Sequence, residues 1–112
     1  MASGTINLWS SSTKLAGRAL WSSKANVSSN SSSVTIKLQV KRTDSYITTG
    51  TWDWECQVYD TSDNDPLLDP FYGSYYGSIA SSWVTVKTIS FTIKHNSSGK
   101  KTLEADIIID AP

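Results

Sequence analysis

The sequence predicts an all-β protein, an antiparallel β-sandwich of seven to eight strands forming a single domain over residues 1–112. Three observations carry that expectation. Apolar and polar side chains repeatedly alternate with a period of two, the pattern of a strand with one buried face. Clusters of Ser, Asn, Asp and Gly punctuate these stretches, and such residues bond their own backbone or tolerate positive φ. No stretch shows a convincing helical period, and the frequency of turn signals favours two packed sheets over one open sheet.

In chain order, residues 3–10 form a short first strand, with Ile6 and Leu8 on one face and Trp9 on the other. Ser11-Ser12-Thr13 is a turn. Residues 15–22 form a second strand, where Leu15, Gly17, Ala19 and Trp21 share one parity and Ala16, Arg18 and Leu20 the other. Gly17 there marks a bulge or a close backbone approach. Residues 23–33 are expected to be a polar loop without periodicity. Residues 34–42 are the cleanest strand of the first half: Val34, Ile36, Leu38 and Val40 point one way, Thr35, Lys37, Gln39 and Lys41 the other.

Thr43-Asp44-Ser45 turns the chain, residues 46–49 are a short extended piece, and Gly50 breaks it. Residues 51–59 alternate Trp52, Trp54, Cys56 and Val58 against Asp53, Glu55, Gln57 and Tyr59. Residues 60–81 hold Pro66, Pro70, Gly73, Gly77 and a run of aromatics without a period. They predict a long loop with at most one short strand near residues 75–79, and long loops in compact domains tend to carry function.

The last part combines two alternations. Ile89, Phe91 and Ile93 share one parity; Leu103, Ala105, Ile107 and Ile109 share another, with Glu104 and Asp106 between them. The link His95-Asn96-Ser97-Ser98-Gly99-Lys100 is turn chemistry, so the two stretches are expected to pair as a hairpin. Val84 and Val86 lie out of phase with Ile89, Phe91 and Ile93. The flip falls at Lys87-Thr88 and requires a β-bulge or a bend that switches sheets.

Composition bounds the function. Ten Lys and Arg balance ten Asp and Glu, which argues against a general nucleic-acid binder, since that needs a basic surface to displace counterions. A lone Cys56 cannot form an internal disulfide. No apolar run approaches the ~20 residues of a membrane span, and the first residues lack the basic start and apolar core of a signal peptide. Synthesis in the cytoplasm without a signal peptide is therefore expected.

Few residues suggest chemistry. His95, the only His, lies among turn residues, and a hydrogen bond to the turn is favoured over a catalytic role. No nucleophile-elbow string such as G-x-S-x-G occurs, and no enzyme is expected. Cys56, alternating with Trp52, Trp54 and Val58, is expected to be a small buried hydrophobe. Asp60, Asp63, Asp65 and Asp69 cluster as hard-cation ligands can. Pro66, however, stands where a calcium loop needs its turn glycine, so a solvated acidic loop is favoured, with no metal and no cofactor. The sequons at Asn26, Asn30 and Asn96 are more simply turn residues. Phe71, Tyr72, Tyr75 and Tyr76, with Asp65 and Asp69 as hydrogen-bond partners, are the candidate ligand-binding residues. Amphipathic rings on a loop can stack on sugars or anchor a protein contact, or fold back over the sandwich.

Several strings, in order, resemble the immunoglobulin-like or fibronectin-like β-sandwich domains of minor structural and tail-associated proteins of siphoviruses infecting Gram-positive bacteria. They are Trp21-Ser22-Ser23, Asn30-Ser31-Ser32-Ser33-Val34, Tyr46 with Gly50-Thr51-Trp52, Ser81-Ser82-Trp83-Val84, and His95-Asn96-Ser97-Ser98-Gly99-Lys100. The resemblance implies an immunoglobulin-like or fibronectin III-like sandwich. It also implies a non-enzymatic virion component on tail, baseplate or fibre, contacting other virion proteins or itself, with attachment to a host-surface saccharide. The alternative is a carbohydrate-binding module using the aromatic residues of the 60–81 loop, which is longer, more acidic and more aromatic than the resemblance leads one to expect. Neither reading involves a nucleic acid or a membrane.

Overall fold

The computed structural model describes residues 2–9, 14–60, 70–94 and 103–110. They form seven strands: β1 (Ala2–Trp9), β2 (Leu15–Asn26), β3 (Ser31–Arg42), β4 (Thr48–Asp60), β5 (Phe71–Ile79), β6 (Val84–Lys94) and β7 (Leu103–Asp110). All pairings are antiparallel. The strands divide into a four-stranded sheet, β1-β2-β3-β6, and a three-stranded sheet, β5-β4-β7. The expected all-β sandwich is therefore the fold. A constant-type immunoglobulin sandwich also divides four and three, but its third strand crosses to the smaller sheet. Here β3 stays hairpinned to β2, and β4 makes the crossing.

Alternation explains the core. Val34, Ile36, Leu38 and Val40 of β3 are buried, as are Trp52, Trp54, Cys56 and Val58 of β4. These are the central strands of their sheets, so their inward faces meet across the sandwich. Ala19, Ile79, Val86, Ile89 and Ile109 complete the cluster. Each fully buried Leu, Val or Ile contributes about 1.5–3 kcal/mol before entropy is subtracted.

Several sequence expectations change. Residues 23–33 are mostly strand: β2 runs to Asn26 and β3 starts at Ser31, leaving a turn at residues 27–30. Asn30 supplies the left-handed position (φ 49°) and its N–H donates to Val27 O at 3.3 Å. Serines extend this hairpin through backbone pairing and side-chain hydrogen bonds such as Ser29–Ser31 at 2.6 Å, which apolar periodicity cannot register. Gly50 lies inside β4 and does not break it. Leu8 is the bulged residue between Asn7, paired with Arg18, and Trp9, paired with Gly17, so the irregularity expected at Gly17 lies opposite it.

The expected β6–β7 hairpin does not form. β6 pairs with β3 in one sheet, and β7 pairs with β4 in the other. Both alternations are real, but each reports only a buried face. The two strands belong to different sheets, and the strand that comes against β6 from the other sheet is β5, whose Phe71 stacks on Phe91. The turn residues 95–100 and the turn at 11–13 lie outside the described residues.

The parity flip in β6 is a bulge within one continuous strand. Leu38 pairs with Lys87 and Gln39 with Thr85, leaving Val86 without a partner across the ladder. Val86 and Ile89 are thereby both buried while Lys87 and Thr88 are exposed.

Where the chain crosses from β3 to β4, Arg42 holds the corner. Its Nε and Nη2 each donate to Asp44 carboxylate oxygens at 2.6 Å, and Nη1 donates to Thr48 Oγ1. The backbone of Tyr46 donates to Asp44 Oδ1 at 3.1 Å. A bidentate guanidinium–carboxylate pair is short and directional, and here it lies beside the Arg42 N–H bond to Ala80 O at 2.7 Å.

Candidate functional site

The predicted loop at residues 60–81 contains a full strand, β5, and strand parity splits the candidate aromatics. Phe71 and Tyr75 are half-buried and pack on the core; Tyr72 and Tyr76 face outward, 78 % and 75 % exposed. Phe71 stacks on Phe91 of the opposite sheet at 5.9 Å between centroids. Asp65 and Asp69, like Asp63 and His95, lie outside the described residues.

Glycine makes the inward face of β5 possible. Gly73 pairs with Trp54, and a Cβ at residue 73 would stand 2.8 Å from the Trp54 ring. Any side chain there would displace the indole, so the strand lacks the apolar residue that would have revealed its period.

The register places β5, β4 and β7 residues in rows on the outer face. Ser74, Asp53 and Asp110 form one row; Tyr72, Glu55 and Ile108 form the next. Tyr76 lies beside Thr51, and Asp106 beside Gln57. Asp53, Glu55, Tyr72, Ser74, Ile108 and Asp110 line an open groove of about 390 Å³. Ser74 Oγ donates to Asp53 Oδ1 at 2.6 Å, and Thr49 and Ser78 share a hydrogen bond of 2.8 Å nearby.

Two properties distinguish this face. First, tyrosine edges and an exposed isoleucine (Ile108, 54 % exposed) flank carboxylates. A ligand could thus find apolar area and hydrogen-bond acceptors on one rigid surface. Second, Asp53 stands directly opposite Asp110, and like charges in that position destabilise an antiparallel pair. No Lys or Arg occurs anywhere on β4, β5 or β7 to offset them. Asp53, Glu55, Ile108 and Asp110 escaped the sequence reading as a site. The outward parity of β4 was visible, but joining it to β5 and β7 requires knowing the strand order.

Other candidates are structural. Cys56 is buried, and burial, with a smaller contribution from Asp106, pushes its thiol up to about 11. It is thus a protonated core side chain at neutral pH. Among the described residues no cluster of three or more His, Cys, Asp or Glu is placed to hold a metal ion.

The outer face of the four-stranded sheet is a second ordered surface. Arg18 Nε donates to Gln39 Oε1 at 2.7 Å, and Gln39 Nε2 donates to Thr85 Oγ1 at 2.9 Å, linking β2, β3 and β6. The Arg18 guanidinium lies 4.0 Å and the Lys41 ammonium 4.9 Å from the centroid of the half-buried Trp83 ring.

Compared with known proteins, the chain matches no family model, no curated protein and no solved structure.

Proposed function

We propose that the chain is a non-enzymatic structural or accessory module of a bacteriophage virion, carried on tail, baseplate or fibre, where it makes protein–protein contacts. The observation that supports a contact role is the outer face of β5-β4-β7. Tyr72, Tyr76 and Ile108 are exposed there although the fold gains little from them, and rigid aromatic groups of this kind anchor interfaces. Asp53 and Asp110 are set against each other with no cation on their sheet. Violations of local rules of this kind are expected at functional sites, and a cationic partner would relieve this one. The viral setting is supported by the ordered strings from Trp21 to Lys100 alone.

Immunogold labelling and cross-linking mass spectrometry of purified particles, from lysates of the strain encoding the chain, test this reading. Labelled particles and cross-links from the β4 and β7 carboxylates to another virion protein or another copy are expected. Absence of the chain from washed particles would overturn it.

A second reading has its own support. Outward tyrosines beside carboxylate and hydroxyl groups also suit a saccharide, whose apolar face stacks on rings while its hydroxyls donate to carboxylates. Here Tyr72 and Tyr76, with Asp53 and Glu55, replace Phe71 and Tyr75 as the contact residues. Titration with host cell-wall polysaccharide fragments decides it. Binding that Tyr72→Ala and Tyr76→Ala abolish without lowering the melting temperature would establish this reading; no binding by the intact protein would eliminate it.

A further inference from the structure

Charge is completely segregated between the two sheets. The strands β1, β2, β3 and β6 contain Arg18, Lys24, Lys37, Lys41, Arg42, Lys87 and Lys94 and no acidic residue. The strands β4, β5 and β7 contain Asp53, Glu55, Asp60, Glu104, Asp106 and Asp110 and no basic residue. Strand parity sends Arg18, Lys24, Lys37, Lys41 and Lys94 to the outer face of the larger sheet, and Asp53, Glu55, Glu104, Asp106 and Asp110 to that of the smaller. The zero net charge therefore conceals two opposed, oppositely charged faces.

These faces do not neutralise each other within one molecule. Packed sheets lie ~10 Å apart, with side chains extending outward on both sides. The opposite charges are thus separated by more than the ~8 Å screening length at physiological salt. The one ion pair among the described residues, Arg42–Asp44, lies at the β3–β4 corner and involves neither set.

We propose that copies of this chain stack head to tail, the basic outer face of β1-β2-β3-β6 on one copy against the acidic outer face of β5-β4-β7 on the next. The proposal rests on the protein-contact reading above and names the partner as a second copy. Charge complementarity selects that occupant. A two-fold dimer through either face would set like charges against each other, whereas the heterologous contact pairs five cations with five carboxylates. It also sets lysines against Asp53 and Asp110, the pair for which the strands of their own sheet supply no cation. Each face has aromatic or aliphatic anchors: Trp83, stiffened by Arg18 and Lys41, on one side, and Tyr72, Tyr76 and Ile108 on the other. The molecule measures 50 × 24 × 22 Å, so its broad faces can accommodate the ~800 Å² per partner of a standard contact. Each copy uses both faces, so the contact propagates into a filament or closes into a ring.

Sedimentation velocity of the full chain over a concentration series at low and high salt tests the proposal. Mass rising beyond a dimer at low salt is expected, with association at least about tenfold weaker in high salt. The variants Lys37→Gln/Lys41→Gln and Asp53→Asn/Asp110→Asn should each fail to self-associate, the first at the wild-type melting temperature and the second at or above it, since it relieves the Asp53–Asp110 repulsion. Mixed, they should form capped one-to-one dimers, since each keeps one intact face. A wild type that remains monomeric at low salt, growth that stops at a two-fold dimer, or variants that self-associate normally would overturn the proposal. A monomer that still cross-links to other virion proteins would sink the stacking alone; absence from particles would sink the virion reading.

Discussion

Deleting Lys87 should be tolerated, whereas deleting Lys37, its near neighbour across the β3–β6 ladder, should come close to unfolding the protein. In β6 the bulge at Val86 compensates for one residue too many. Without Lys87, Thr88 still meets Lys37, Val86 moves opposite Leu38, and Thr85 and Val84 keep Gln39 and Val40. Val84, Val86, Ile89, Phe91 and Ile93 then share one parity. The identifiable loss is the Lys87 ammonium 5.7 Å from the Trp54 ring centroid, about 0.5–1 kcal/mol for such a contact. In β3 there is no surplus residue. Losing Lys37 turns either Val34 and Ile36 or Leu38 and Val40, all buried, to the outer face. Two such side chains amount to ~3–6 kcal/mol, against a typical total stability of ~5–15 kcal/mol. Urea unfolding followed by tryptophan fluorescence distinguishes the two. The ΔLys87 midpoint should lie near wild type, and the ΔLys37 midpoint at least about 1 M lower. Equal losses would show that strand register is not what seats this core.

Other perturbations follow from single contacts. Gly73→Val should displace the Trp54 indole, lowering stability by about 1–3 kcal/mol and shifting tryptophan emission. Cys56 should resist a water-soluble thiol reagent at pH 8 in the folded protein and react on unfolding. Because its folded value is raised to about 11 by burial, stability should decline as pH rises from the ordinary thiol range towards that value. Asp44 behaves oppositely. The hydrogen bonds from Arg42, the largest cause, hold its carboxyl down at about 2, so the corner's contribution is complete above the ordinary carboxylate value and is lost as pH falls through about 2. Asp44→Asn should lower stability at neutral pH and flatten the acid limb of the stability curve.

What the sequence discloses depends on whether a strand's inward positions are apolar. β3 and β4 are legible because Val34 to Val40 and Trp52 to Val58 alternate against polar residues. β5 is not: its inward positions include Gly73 and Gly77, and tyrosines occupy both parities, so the hydrophobic period disappears. The serine-rich ends of β2 and β3 are hidden for a related reason, since backbone pairing holds them without apolar side chains. The flip in β6 was legible as a mismatch of parity, and the bulge is its resolution. Neighbour relations were not legible, because alternation marks a buried face and says nothing of which strand lies beside it. β6 and β7 could therefore pass for a hairpin. The same limit hid the acidic, aromatic face: its residues come from three strands, and only the order β5-β4-β7 brings Tyr72, Glu55 and Ile108 into one row.

The separation of charge by sheet also governs how the protein meets immobilised charge. Its isoelectric point of about 6.5 suggests weak retention on either kind of ion-exchange resin at neutral pH. A resin, however, samples one face at a time and responds to the local field there. A cationic resin faces five carboxylates, and an anionic resin faces four lysines and an arginine. The chain should be retained by both at low ionic strength, and should settle on any charged surface with one chosen side outward.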